Sequence, residues 1–65
     1  MLRLKETNVE YLICANGDEI HLDDGQFFCR MPKSWEIWQE EPIARIARIP
    51  LKRVCWVIQK EASHA

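Results

Sequence analysis

Glycine is nearly missing from this chain, with two residues in 65, Gly17 and Gly25. Neither belongs to a G-x-G pattern, which excludes a phosphate-cradling glycine loop. Serine is as scarce, at Ser34 and Ser63. No apolar run approaches the roughly 18 residues of a membrane-spanning helix, and the opening MLRLKET carries no apolar stretch of signal-peptide length. The three cysteines, Cys14, Cys29 and Cys55, have no C-x-x-C spacing, and His21 and His64 form no H-x-x-x-H pair. A zinc site is therefore not expected, and neither is any other metal or cofactor. The cysteines read as small buried hydrophobes in a reducing cytosol, so the expected location is cytoplasmic, with no membrane contact.

What is present is ample apolar material, 48% of the residues. A chain this short buries only about 60% of the surface it exposes when unfolded, so its core is thin. The expected organisation is one domain over residues 1–60 followed by a frayed tail at 61–65. Net charge is −1 but unevenly spread. Residues 1–29 hold two basic and six acidic side chains, a net of −4, while residues 30–65 hold seven basic and four acidic, a net of +3. Such poles pair with each other, within a chain or across a dimer, or take a polyanion at the basic end.

Asn16-Gly17 is the dipeptide most suited to a tight hairpin. A two-residue loop pairs Ile13 with Ile20, Cys14 with Glu19 and Leu12 with His21. Tyr11, Ile13, Ile20 and Leu22 then share an apolar face suited to a core, and Leu12, Cys14, Glu19 and His21 a mixed one. A glycine bulge slips one side of this pairing by a residue. Asp24-Gly25 reads as a second tight turn, which pairs Leu22 with Phe27. It adds Phe27, Cys29 and Met31 to the core face, and Phe28 and Arg30 to the mixed face. The result is a three-strand meander over residues 9–31.

Met31-Pro32-Lys33-Ser34 leaves the strand, because proline cannot donate to a ladder. Trp35–Gln39 reads as a short strand with Trp35 and Ile37 on one side and Trp38 on the other. Residues 43–49 favour a strand, with a short helix at about 42–49 as the alternative, since Pro42 and the spacing of three also fit a helical turn. Pro50-Leu51-Lys52-Arg53 reads as one 3₁₀ turn. Val54–Gln59 is an apolar final strand in which Trp56 is the expected core tryptophan.

The fold class is thus mostly β, a small five-stranded antiparallel barrel or curled sheet, with α+β as the rival. The meander at 9–31 and the hand-over at Ile49-Pro50-Leu51-Lys52-Arg53-Val54 are similar in outline to the small barrels of SH3-like and Sm-like type. The resemblance is architectural. Neither the glycine-containing signature of Sm proteins nor the acidic and aromatic loops of SH3 domains is present, so no binding residue carries over.

No catalytic constellation emerges, and an enzyme is not expected. Cys14 and His21 are only diagonal neighbours on the mixed face and lack a third orienting group. Asp23-Asp24 and Glu40-Glu41 read as solvated acids. A domain of this size rarely encloses a small-molecule pocket. The expected function is a non-catalytic binding module, a protein-interaction regulator or inhibitor using exposed aromatics on a β surface. Its candidate contacts are Leu12, Phe28, Arg30, Trp35 and Trp38, and the partner is another protein or a second copy. The alternative is a nucleic-acid-binding barrel, with aromatics at 28–38 and with Lys33, Arg45, Arg48, Lys52 and Arg53 on phosphates.

Overall fold

A computed structural model describes residues 4–60. Seven strands follow in order: β1 (Leu4–Glu6), β2 (Val9–Cys14), β3 (Glu19–His21), β4 (Gln26–Arg30), β5 (Ser34–Glu40), β6 (Ile43–Pro50) and β7 (Val54–Gln59). A 3₁₀ turn at Leu51–Arg53 links the last two. All pairings are antiparallel, in a four-stranded sheet of order β1-β4-β5-β6 and a three-stranded sheet of order β3-β2-β7. The described residues form two sheets and no closed barrel, with more strands than the five read from the sequence.

The β2–β3 hairpin forms around Asn16-Gly17, but with the glycine bulge. The Gly17 N–H donates to the Cys14 carbonyl at 2.9 Å, and the Cys14 N–H to the Asp18 carbonyl at 2.7 Å. Gly17 sits at φ +92°, a left-handed conformation that a residue with a Cβ resists. The Asn16 side chain closes the loop by accepting from the Asp18 N–H at 3.0 Å. The extra loop residue shifts the register to Leu12 opposite Ile20 and Tyr11 opposite His21. Because side chains alternate, this one-residue slip exchanges the faces. Leu12 and Cys14 point into the core, while Tyr11 and Ile13 turn outward, the reverse of the tight-turn expectation.

The second glycine turn is also present, with Gly25 at φ +80° and the Gln26 N–H donating to the Asp23 carbonyl at 3.1 Å. It does not build a meander. β3 ends at His21, and the Leu22–Gly25 segment carries the chain round a corner into the other sheet, where β4 pairs with β1 and β5. Phe28, opposite Ile37, faces the core, and Phe27 and Cys29 take the other side of the sheet.

Three other expectations are met. Trp35 and Ile37 face inward while Trp38 lies on the opposite face, residues 43–49 form a strand, and the 3₁₀ turn falls at 51–53. Pro42 serves a two-residue β5–β6 loop through a cis Glu41–Pro42 peptide, not a helix start. The core is Val9, Leu12, Phe28, Trp35, Ile37 and Ile49, with Ile20, Leu22, Ala47, Leu51 and Val54 packed against it. The Phe28 and Trp35 rings meet edge to face, with centroids 6.0 Å apart.

Trp56 is not part of this core: it is 65% exposed. Between the Ile13–Trp56 and Cys14–Val54 pairs, β7 carries one extra residue, Cys55. That bulge leaves Val54 on the core side and Trp56 across from the outward Ile13.

Phe28→Ala should lower unfolding free energy in urea by about 3–5 kcal/mol, while Phe27→Ala on the other face should lose far less. Gly17→Val, with open space around its new Cβ, should cost about 1–2 kcal/mol through backbone strain alone.

Candidate functional site

Two sheets packed on one thin core leave two outer faces, and each carries an unusual set of side chains. On the three-stranded sheet the register stacks β3, β2 and β7 residues in rows: His21–Tyr11–Ile58 and Glu19–Ile13–Trp56. Directly paired residues share a face, so Tyr11, Ile13, Trp56 and Ile58 form one apolar surface edged by His21 and Glu19. The Tyr11 and His21 rings stack with centroids 4.3 Å apart, and His21 Nε2 meets Glu19 Oε1 at 2.9 Å. Both side chains are more than half exposed, so the contact contributes little to stability. Tyr11, Ile13 and Ile58 are half-buried in this surface, and Trp56 stands out of it.

The outer face of the four-stranded sheet is polar. Here the rows are Phe27–Trp38–Arg45 and Lys5–Cys29–Glu36–Arg48, with Ser34 opposite Pro50. Glu36 is only 5% exposed although this is the outside of the sheet. Its carboxylate accepts from Trp38 Nε1 at 2.8 Å and from an Arg45 terminal nitrogen at 3.3 Å. Arg48 Nε donates to the buried Ser34 Oγ at a long 3.4 Å. Lys5 Nζ lies 4.6 Å from the Phe27 ring centroid and pairs with Glu40 at 3.0 Å.

Beside this network is a depression of about 360 Å³. Lys33, Arg45 and Arg48 contribute its cationic groups, Ser34 and Glu36 its buried polar ones, and Met31 and Pro32 its apolar wall. A second depression, about 330 Å³, is lined by Lys52 and Arg53 of the 3₁₀ turn and by the Cys14–Asn16 end of the first hairpin. The two lie on either side of that turn. The Leu51 N–H donates to the Lys33 carbonyl at 3.2 Å, and the Ala15 N–H to the Arg53 carbonyl at 2.8 Å.

The residues singled out as partner contacts therefore separate. Leu12 and Phe28 are fully buried and Trp35 nearly so, which makes them core and not surface. Arg30 is half-buried, with its guanidinium 5.7 Å from the Trp35 ring and donating to the Met31 carbonyl. Trp38 lies half-buried on the polar outer face. Of the basic residues, Lys33, Arg45 and Arg48 converge on one depression, and Lys52 and Arg53 on the other. Cys14 and His21 fall on opposite faces after the register slip, so they do not form a pair. Among the described residues no three His, Cys, Asp or Glu side chains gather as metal ligands.

Sequence reasoning missed Trp56, Tyr11 and Ile13 as surface and Glu36 as a site residue. A signal for Glu36 was available. On a strand, positions 36 and 38 share a face, so a Glu-x-Trp pair inside a buried strand places the indole N–H beside the carboxylate.

Acrylamide should quench one tryptophan far more strongly than the others. Trp56→Phe should remove that component, whereas Trp35→Phe should leave it in place. The chain matches no protein-family model, and no curated protein and no solved structure matches it.

Proposed function

We propose that this chain is a small non-catalytic binding module of the cytoplasm, a regulator or inhibitor that acts by docking a protein on the outer face of the β3-β2-β7 sheet. One observation carries this reading: Trp56 is 65% exposed in a surface otherwise built from Tyr11, Ile13 and Ile58. Tryptophan is one of the residues enriched among interface anchors, and this one stands in water beside aliphatic neighbours. Removing its exposed ring from water is worth on the order of 3–4 kcal/mol before ordering costs.

The sheet edges support the same reading. β6 and β7 are both edge strands. β6 is guarded, with Pro42 and Pro50 at its ends, Arg45 and Arg48 along it and a bulge opposite Ile37–Trp38. β7 carries no charge and no proline, and exposes Trp56 and Val57. An unguarded apolar edge beside an apolar face accepts an added strand, from another protein or from a second copy of this chain. The succession β4-β5-β6, 3₁₀ turn and β7 returning to β2 supports placing the fold with the SH3-like and Sm-like small barrels, in an opened form.

Affinity capture tests the reading. Immobilised wild-type protein should retain specific proteins at high salt, and Trp56→Ala should lose them while keeping its fold. Contacts that vanish with salt but are indifferent to Trp56→Ala would overturn it.

A further inference from the structure

The buried Glu36 network is not explained by the apolar face, which lies on the other sheet. A carboxylate taken out of water costs several kcal/mol unless donors compensate it. Glu36 has two donors, Trp38 Nε1 and Arg45. The pairing leaves Arg45 most of its five donors, and its side chain remains 52% exposed at the edge of the depression. Arg48 is used in the same way. It spends Nε on buried Ser34, and its terminal nitrogens remain for another acceptor.

The result is two guanidinium groups, each oriented by a buried partner, beside one cavity that Lys33 also lines. Three cations against the single carboxylate of Glu36 leave a local excess of positive charge. Paired guanidinium forks match the oxygens of a phosphate better than any single point charge. The cavity, about 360 Å³, is much larger than a phosphate alone, and Met31 and Pro32 give it an apolar wall. A ligand that fills it combines an anionic oxygen cluster with a bulkier, less charged group. A nucleotide has that chemistry.

We infer that the depression between the Met31–Ser34 loop and β6 binds the phosphate of a nucleotide unit, with Arg45 and Arg48 as donors and Lys33 supplying further charge. Glu36 is a positioning residue that holds Arg45. Lys52 and Arg53 belong to the 3₁₀ turn itself, whose Leu51 N–H bonds the Lys33 carbonyl, so further cations lie next to the first site. Their proximity favours a unit within a single strand over a free mononucleotide.

The test is fluorescence anisotropy of a labelled short uridine oligonucleotide, with uridine monophosphate and inorganic phosphate as competitors. The oligonucleotide should bind at about 50 mM salt and weaken steeply by about 200 mM, as counterion release requires. Arg48→Ala should weaken binding about tenfold or more through loss of a charge-assisted contact. Arg45→Lys, which keeps the charge but not the fork, should weaken it as well, and a circular dichroism melt of each variant separates this loss from unfolding. Unlabelled oligonucleotide should displace the probe at far lower concentration than uridine monophosphate, and equal displacement by the two would overturn the strand assignment. No binding of either at low salt would overturn the inference. So would competition by inorganic phosphate as strong as by uridine monophosphate, or binding indifferent to both arginine variants in folded protein.

Discussion

Which sides of the first hairpin face the core depends on one backbone conformation, the left-handed Gly17 at φ +92°. It inserts one residue into the first hairpin and sets Leu12 against Ile20. With a side-chain period of two there is no intermediate state: either Leu12 and Cys14 are core, or Tyr11 and Ile13 are. The bulged register selects the first. Leu12 packs from this sheet into the same core as Phe28 and Trp35 of the other sheet, which joins the two sheets. The same choice turns Tyr11 and Ile13 outward, and the bulge at Cys55 sets Trp56 beside them, so the turn and the bulge together make the candidate contact face.

The size of the chain explains why both outer faces carry so much that is neither plainly solvated nor buried. Two sheets can cover each other once, and among the described residues no third layer covers their outer sides. Aromatic and aliphatic side chains in excess of the thin core must sit outside. On one sheet they make an apolar surface around Trp56, and on the other Trp38 and Phe27 sit among Glu36, Arg45 and Lys5. The two faces differ in chemistry because β6 brings arginine at positions 45 and 48 to the outside of its sheet, whereas β7 brings no charge at all. The hydrophobic effect and packing thus dominate one surface, while hydrogen bonding and electrostatics dominate the other.

Local features of the fold were legible in the sequence, and long-range ones were not. Both glycine turns, the strand at 43–49, the 3₁₀ turn at 51–53 and the division of Trp35 and Ile37 from Trp38 follow from turn chemistry, proline placement and alternation over a few residues. The hairpin register did not, because Asn-Gly serves a two-residue loop and a bulged three-residue loop equally well, and the flanks are apolar on both faces. The Leu22–Gly25 corner looked like a hairpin because Asp-Gly reports a turn, not which strands flank it. Trp56 was misplaced for a similar reason. An unbroken apolar strand carries no internal phase, and the bulge at Cys55 that turns Trp56 outward is set by its pairing with β2. The basic residues that the sequence grouped together divide between two depressions, Lys33, Arg45 and Arg48 at one and Lys52 and Arg53 at the other. The aromatic contacts changed because the faces changed.

The central claim is the direction in which β2 faces, and the stability of two adjacent alanine variants measures it. Urea unfolding of Leu12→Ala should show a loss of about 2–5 kcal/mol, the cost of a cavity in a sealed core. Ile13→Ala, on the uncovered face, should lose about 1 kcal/mol. The opposite order, with Ile13→Ala the more damaging, would mean that the tight two-residue turn forms and that the core and contact faces are exchanged.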